Sequence, residues 1–163
     1  MKTRIMGLIA ISAGLLAGPA QAIDIHGINM SVRTSTYQVV AGDTAAGLIA
    51  QFNGNGSSVC DVALSSVDLV GSSQTCAGPN TDIATHITLD LTQSAAESPI
   101  LWQFGPDWGR GGVVYAADGG SGEIPYPLDL WWGLDWNSSQ VISFGTNADF
   151  RYTLGFLGFE GCC

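Results

Sequence analysis

The residues of this chain best suited to hold a ligand are tryptophans and carboxylates in its second half. All five tryptophans lie between positions 102 and 136. In a strand over 128–136, alternation would place Trp131 on one face with Asp129 and Asp135. An indole offers a flat apolar surface and carboxylates accept hydrogen bonds, which suits a sugar ring, although an ordinary amphipathic strand would show the same pattern. The predicted ligand-binding residues are Trp131, Asp129, Asp135, Trp108 and Asp107.

No catalytic residue is predicted. The only histidines are His26 and His86, and neither a nucleophile elbow nor a zinc-binding H-E-x-x-H surrounds them. The alternative basis for catalysis is a carboxylate pair, Asp129 with Asp135 or Asp107 with Asp118, because a glycosidase needs two carboxyl groups ~5 to 9.5 Å apart.

Oxygen-rich loops at 53–57 and 118–123 offer ligands for Ca²⁺, but neither has the spacing of a calcium motif. Plain turns are the favoured interpretation, so no metal is predicted and calcium is the one cofactor kept as an alternative. Arg110 follows a turn and is predicted to pair with Asp107 or another carboxylate.

Four cysteines allow three disulfide connectivities. Cys60 and Cys76 bracket a polar loop, and we predict that they are bonded, a closure worth ~3 kcal/mol in the chain-entropy model. Adjacent Cys162 and Cys163 have Cα atoms only ~3.8 Å apart, below the usual disulfide range. Four interpretations of this cysteine pair remain open: a redox switch, a soft-metal site, a link to another chain, or oxidised tail thiols.

The first 22 residues are predicted to be a signal peptide. Lys2 and Arg4 precede an apolar run over 5–16, and 18–22 ends in a small-x-small cleavage site. A single domain over 23–163 follows, with secretion or display on a bacterial cell surface predicted and the periplasm as the alternative. Past residue 22 only three arginines face fourteen acidic side chains, which excludes nucleic acid as a partner. No later apolar run is long enough for a membrane span.

Short alternating runs separated by glycine-rich turns are typical of an all-β chain. Strands are predicted over 62–69, 83–92, 142–144 and 152–159, and together they indicate an antiparallel β-sandwich, jelly-roll or immunoglobulin-like, with a barrel as the alternative. Alternation places His86 on a polar face, as a surface histidine. Residues 44–52 fit either a helix or a strand, and the neighbouring glycine and Asn-Gly favour a strand.

The segment 150–163, ending in Cys162 and Cys163, resembles bacterial exported proteins of the PEP-CTERM type, in the group with a Cys-Cys-x-Gly motif before the sorting tail. The chain ends at Cys163, so only these two cysteines match that motif. The resemblance implies processing at the cell envelope and association with extracellular polysaccharide.

These patterns lead us to expect an exported, non-catalytic surface or extracellular-matrix protein that contacts polysaccharide through the aromatic and acidic patch. Two alternatives remain. One is a small secreted glycan hydrolase acting through a carboxylate pair, and the other is a structural subunit that self-associates through an edge strand or the terminal cysteines.

Overall fold

The computed structural model describes residues 12–13, 23–67, 70, 72–79, 81–93, 100–104, 108–117, 123–126, 140–144 and 150–161. These residues form nine strands and two short helices. In chain order they are β1 (Ser12–Ala13), β2 (Ile23–Thr34), α1 (Ala45–Gly54), β3 (Ser58–Ala63), α2 (Ser72–Cys76), β4 (Ile83–Gln93), β5 (Ile100–Phe104), β6 (Gly112–Ala117), β7 (Glu123–Tyr126), β8 (Gln140–Phe144) and β9 (Phe150–Glu160).

The strands form two antiparallel sheets. The larger has six strands in the order β3-β2-β4-β9-β6-β7, and the smaller has three in the order β1-β5-β8. Among the described residues the end strands β3 and β7 do not pair with each other, so the larger sheet is open rather than a closed barrel. The predicted all-β antiparallel sandwich class is confirmed.

The centre of the larger sheet is the pair β4 and β9, which runs in register from Ile83↔Glu160 to Gln93↔Phe150. Both strands match the predicted runs 83–92 and 152–159 within two residues, and β8 contains 142–144. The run 62–69 is mostly wrong, because β3 ends at Ala63. The Leu64 amide donates to the Ile28 carbonyl at 2.9 Å, and the chain then leaves the sheet at two exposed serines.

Each face of the larger sheet buries its own apolar cluster, because alternate residues of a strand point to opposite sides. One face carries Ile28, Met30, Val32, Ile83, Ile87, Leu89, Leu91, Trp108, Val114, Ala116, Leu154 and Phe156. The other face carries Ala84, Val113, Tyr115, Leu157 and Phe159, covered by Val39 and by Ala45, Leu48 and Phe52 of α1.

The helix α1 replaces the strand predicted over 44–52. Thr44 caps it, accepting a hydrogen bond from the Gly47 amide through Oγ1 at 3.1 Å. Ala45, Leu48 and Phe52 are buried while Ala46 and Ala50 are exposed, which is the burial of a helical stripe and not of an alternating strand. The segment forms a helix and not a strand because a face of the larger sheet lies beneath it and packs against these three side chains.

Two aromatic rings lie flat on glycines of β9. The indole of Trp108 covers the cross-strand partners Gly112 and Gly158, and the ring of Tyr115 covers its own partner Gly155. A Cβ at Gly158 or at Gly155 would come within 2.2 Å of the ring above it. The glycines of the predicted strand therefore make room for rings on both faces of the sheet.

The disulfide predicted between Cys60 and Cys76 is confirmed. It joins the edge strand β3 to the short helix α2, and both cysteines pack against the first apolar cluster. Cys162 and Cys163 lie outside the described residues.

Candidate binding cleft

An open cleft of about 710 Å³ lies at one end of the larger sheet. Three segments meet there: the chain leaving β2, the end of α1, and the loop leading into β4. Its lining consists of Thr34, Ser35, Thr36, Tyr37, Gln38, Gln51, Asn55, Gly56, Pro79, Thr81 and Asp82. Most of these side chains carry a hydroxyl or an amide, and Asp82 is the one charged residue among them.

Backbone hydrogen bonds hold the three segments together. The Ser35 amide donates to the Asp82 carbonyl at 2.7 Å, and the Thr34 amide donates to the Ser57 carbonyl at 3.0 Å. In return the Ser57 amide donates to Thr34 Oγ1 at 2.9 Å. The cleft is therefore built into the fold and does not need a ligand to assemble it.

Tyr37 supplies the aromatic side chain of the cleft. Its ring lies 5.4 Å from that of Phe159, tilted by 54°, and its hydroxyl donates to the two carboxylate oxygens of Asp43 at 3.1 and 3.2 Å. Burial, followed by the bond to Asp43 and the charge of that carboxylate, raises the pKa of Tyr37. The phenol thus stays neutral and fixed in orientation.

The one carboxylate in the lining is neutralised by an ion pair. Asp82 Oδ1 accepts from Arg110 Nη2 at 2.6 Å. The Arg110 carbonyl in turn accepts from the Val39 amide at 3.0 Å and from Gln38 Nε2 at 3.1 Å. Arg110 therefore pairs with a carboxylate other than Asp107, one of the two predicted outcomes, and ties the cleft wall to the loop before β6.

The amides of Gln51 and Asn55 keep hydrogen-bonding capacity for a ligand. Asn55 Nδ2 donates to Gln51 Oε1 across one helical turn. Within the described contacts this leaves the Gln51 Nε2 donors and the Asn55 Oδ1 acceptor for another partner. With the neighbouring hydroxyls they offer donors and acceptors in one place, which suits a neutral molecule rich in hydroxyl groups.

His86 lies beneath α1 and outside the cleft, so its placement as a surface histidine is wrong. Its Nε2 shares a hydrogen bond of 2.6 Å with the Tyr115 hydroxyl, and Phe52 packs edge-on against its ring at 5.3 Å. Burial lowers the pKa of His86 to about 4 and raises the pKa of Tyr115 to about 12. Both are neutral near pH 7 and act as a structural pair.

Trp108 does not form part of an exposed binding patch. Only 4% of its surface is accessible, because the indole is packed on two glycines inside the first apolar cluster. The predicted ligand-binding role of Trp108 therefore does not fit its place in the core. The other predicted ligand-binding residues, Trp131, Asp129, Asp135 and Asp107, lie outside the described residues.

The part of the chain that the structure describes contains no group of three or more histidine, cysteine or acidic side chains able to hold a metal ion. Of the two oxygen-rich loops considered as alternative calcium sites, 53–57 forms the end of α1 and the turn after it, and 118–122 is outside the described residues. None of the described helices has the length and apolar character needed to cross a membrane.

The cleft was missed from the sequence because its lining comes from three segments that only the fold brings together. The one local signal is the run Thr34-Ser-Thr-Tyr-Gln38, which sets an aromatic side chain among hydroxyls and an amide. The strand predicted over 44–52 also concealed the proximity of Gln51 and Asn55, because side chains four residues apart are neighbours on a helical turn and not on a strand.

No family model, curated protein or solved structure matches this chain. Its function must therefore be inferred from its own residues and geometry.

Proposed function

We propose that this chain is an exported, non-catalytic surface or matrix protein that binds neutral polysaccharide in the cleft beside Tyr37. The observation that carries this proposal is the composition of the cleft wall: hydroxyls and amides, one aromatic ring, and one carboxylate already paired with Arg110. Sugar hydroxyls both donate and accept, so amides able to do the same are good partners. An anionic ligand fits poorly, because the one charged side chain among the lining residues is the carboxylate of Asp82.

Export is supported by three features. The leader has the basic, apolar and small-residue parts of a signal peptide, and the Cys60–Cys76 bond is of the kind that persists in oxidising compartments. In addition, β2 begins at Ile23, the residue after the predicted cleavage position, so cleavage would remove none of the six-stranded sheet. The proposal also includes a relationship to PEP-CTERM proteins, on the basis of the resemblance described above, and contact with extracellular polysaccharide.

The test is a binding screen of the exported protein against neutral and acidic polysaccharides, followed by calorimetry on those that bind. Gln51→Ala should weaken binding of the neutral ligand about two- to tenfold, the effect of one lost hydrogen bond. Asn53→Ala is the matched control, because Asn53 is exposed on the same helix but outside the cleft lining. Alanine favours helix at both positions, so the fold is preserved.

The variant Trp131→Ala distinguishes ligand binding in the cleft from ligand binding at the aromatic and acidic patch. If the cleft is the site, this variant should bind like the unmodified protein. Binding that survives Gln51→Ala but is lost in Trp131→Ala would move the site to the patch, and the absence of binding to any neutral polysaccharide would remove the proposal.

A further inference from the structure

Half of the strand β2 has a partner on one side only. β4 pairs with β2 along its whole length, from Ile23↔Gln93 to Thr34↔Ile83. β3 pairs only with Asn29 to Arg33, and its ladder ends where the Leu64 amide meets the Ile28 carbonyl. In the described part of the chain, residues 23–27 therefore present an unpaired strand edge.

The disulfide holds the helix that follows β3 against that strand. Cys76 of α2 is bonded to Cys60 in the middle of β3. Among the described residues of this connection, none pairs with residues 23–27.

The edge has little of the protection that sheet edges usually carry. It contains neither lysine nor proline, and Ile25 is one of two large apolar side chains that are more than half exposed among the described residues. The charged side chain of Asp24 and a bulge at His26 give it some protection, and the twist added by the bulge limits any pairing to a few residues.

From this edge we infer that a second copy of the chain pairs antiparallel with residues 23–27, centred on Ile25. In that register Ile25 lies opposite the same residue of the other copy, and Asp24 lies opposite His26 in two symmetric pairs. Opposite residues of an antiparallel pair share a face, so the acidic and basic side chains meet twice. The result is a twofold interface and one continuous sheet through both copies.

A cysteine cross-link tests the register directly. Opposite Cα atoms of an antiparallel pair lie ~4.5 or 5.5 Å apart, within the range of a disulfide. Exported Ile25→Cys protein, expressed with its own leader, should therefore oxidise to a dimer in which peptide mapping finds residue 25 joined to residue 25. Val40→Cys is the matched control, since Val40 is the other large apolar side chain that is exposed among the described residues and lies off the edge; it should form no such link.

Charge exchange gives a second readout by sedimentation. His26→Asp should weaken the dimer about three- to tenfold, because it sets like charges opposite each other twice, and the double variant Asp24→Lys with His26→Asp should restore it. A protein that is monomeric at all concentrations would overturn the inference. So would a dimer that is indifferent to these changes, or an edge occupied by a peptide of another protein. None of these results depends on whether the cleft binds polysaccharide.

Discussion

Trp108 and Gly158 show at the level of single residues how the sheet accommodates its aromatic side chains. The indole lies in contact with the glycine backbone, and three of its atoms are 2.2 Å from where a Cβ would be. The ring is 4% exposed and belongs to the first apolar cluster. The absence of a side chain at position 158 is therefore a packing requirement.

Gly158→Ala should destabilise the protein by about 1–3 kcal/mol or more, the cost of forcing extra atoms into a packed core. Gly54→Ala is the control: no atom lies within 4 Å of its Cβ position, and alanine there should leave stability unchanged or raise it by up to about 1 kcal/mol. Chemical denaturation of both variants measures the difference. Equal midpoints would mean that the indole can move away from β9.

The helix α1 and the strand β4 set the properties of the second sheet face at the level of elements. Phe52 of the helix closes over His86, so the histidine remains neutral and bonded to Tyr115. When burial lowers the pKa of a group in the folded state, that group takes up a proton at a lower pH in the folded chain than in the unfolded chain. Stability must therefore depend on pH where the unfolded chain takes up a proton and the folded chain does not.

For His86 that window runs from its ordinary pKa of 6.5 down to about 4. Above the window this residue contributes no pH dependence; as pH falls through the window the folded state should lose up to about 3 kcal/mol relative to the unfolded state. Unfolding at several pH values measures the slope. It should shrink in His86→Gln, which retains a partner for Tyr115, and persist in His26→Gln, the exposed control. An unchanged slope in His86→Gln would contradict the assignment.

The central strands were predictable because their alternation is strict and both are long. The helix was not, since 44–52 fits both periods and only the sheet beneath decides between them. The same limit applies to the site: Tyr37 and Gln51 are distant in sequence, and no local pattern relates them. Trp108 was predicted to bind ligand, and its burial could not be foreseen, because a local sequence carries no information about which glycines an indole will cover.

At the level of the whole molecule, the six-stranded sheet begins at Ile23. Only β1 (Ser12–Ala13) of that segment is described, and it pairs with Trp102 and Gln103 in the smaller sheet. No described residue of the cleft or of the two apolar clusters lies before Ile23. Of the described pairings, removal of residues 1–22 would eliminate only those of Ser12 and Ala13, and every described strand of the larger sheet would remain.

We expect the exported protein to begin at Ile23, as intact-mass measurement can establish. Ala22→Leu should block processing, because the last position of a small-x-small site requires a small side chain. Gln21→Leu should have little effect, since the middle position is not restricted in this way. A secreted product that retains its first 22 residues in the unmodified protein would contradict the prediction.

The rings that rest on β9 also constrain how this chain can change over evolutionary time. A lineage that acquires a side chain at position 155 or 158 has to reduce the ring at Tyr115 or Trp108 as well, because the two cannot occupy the same space. We therefore expect each ring and its glycine to change together. Distant relatives of this protein should be recognised by such pairs, conserved or lost together, even where the rest of the strand has diverged beyond detection.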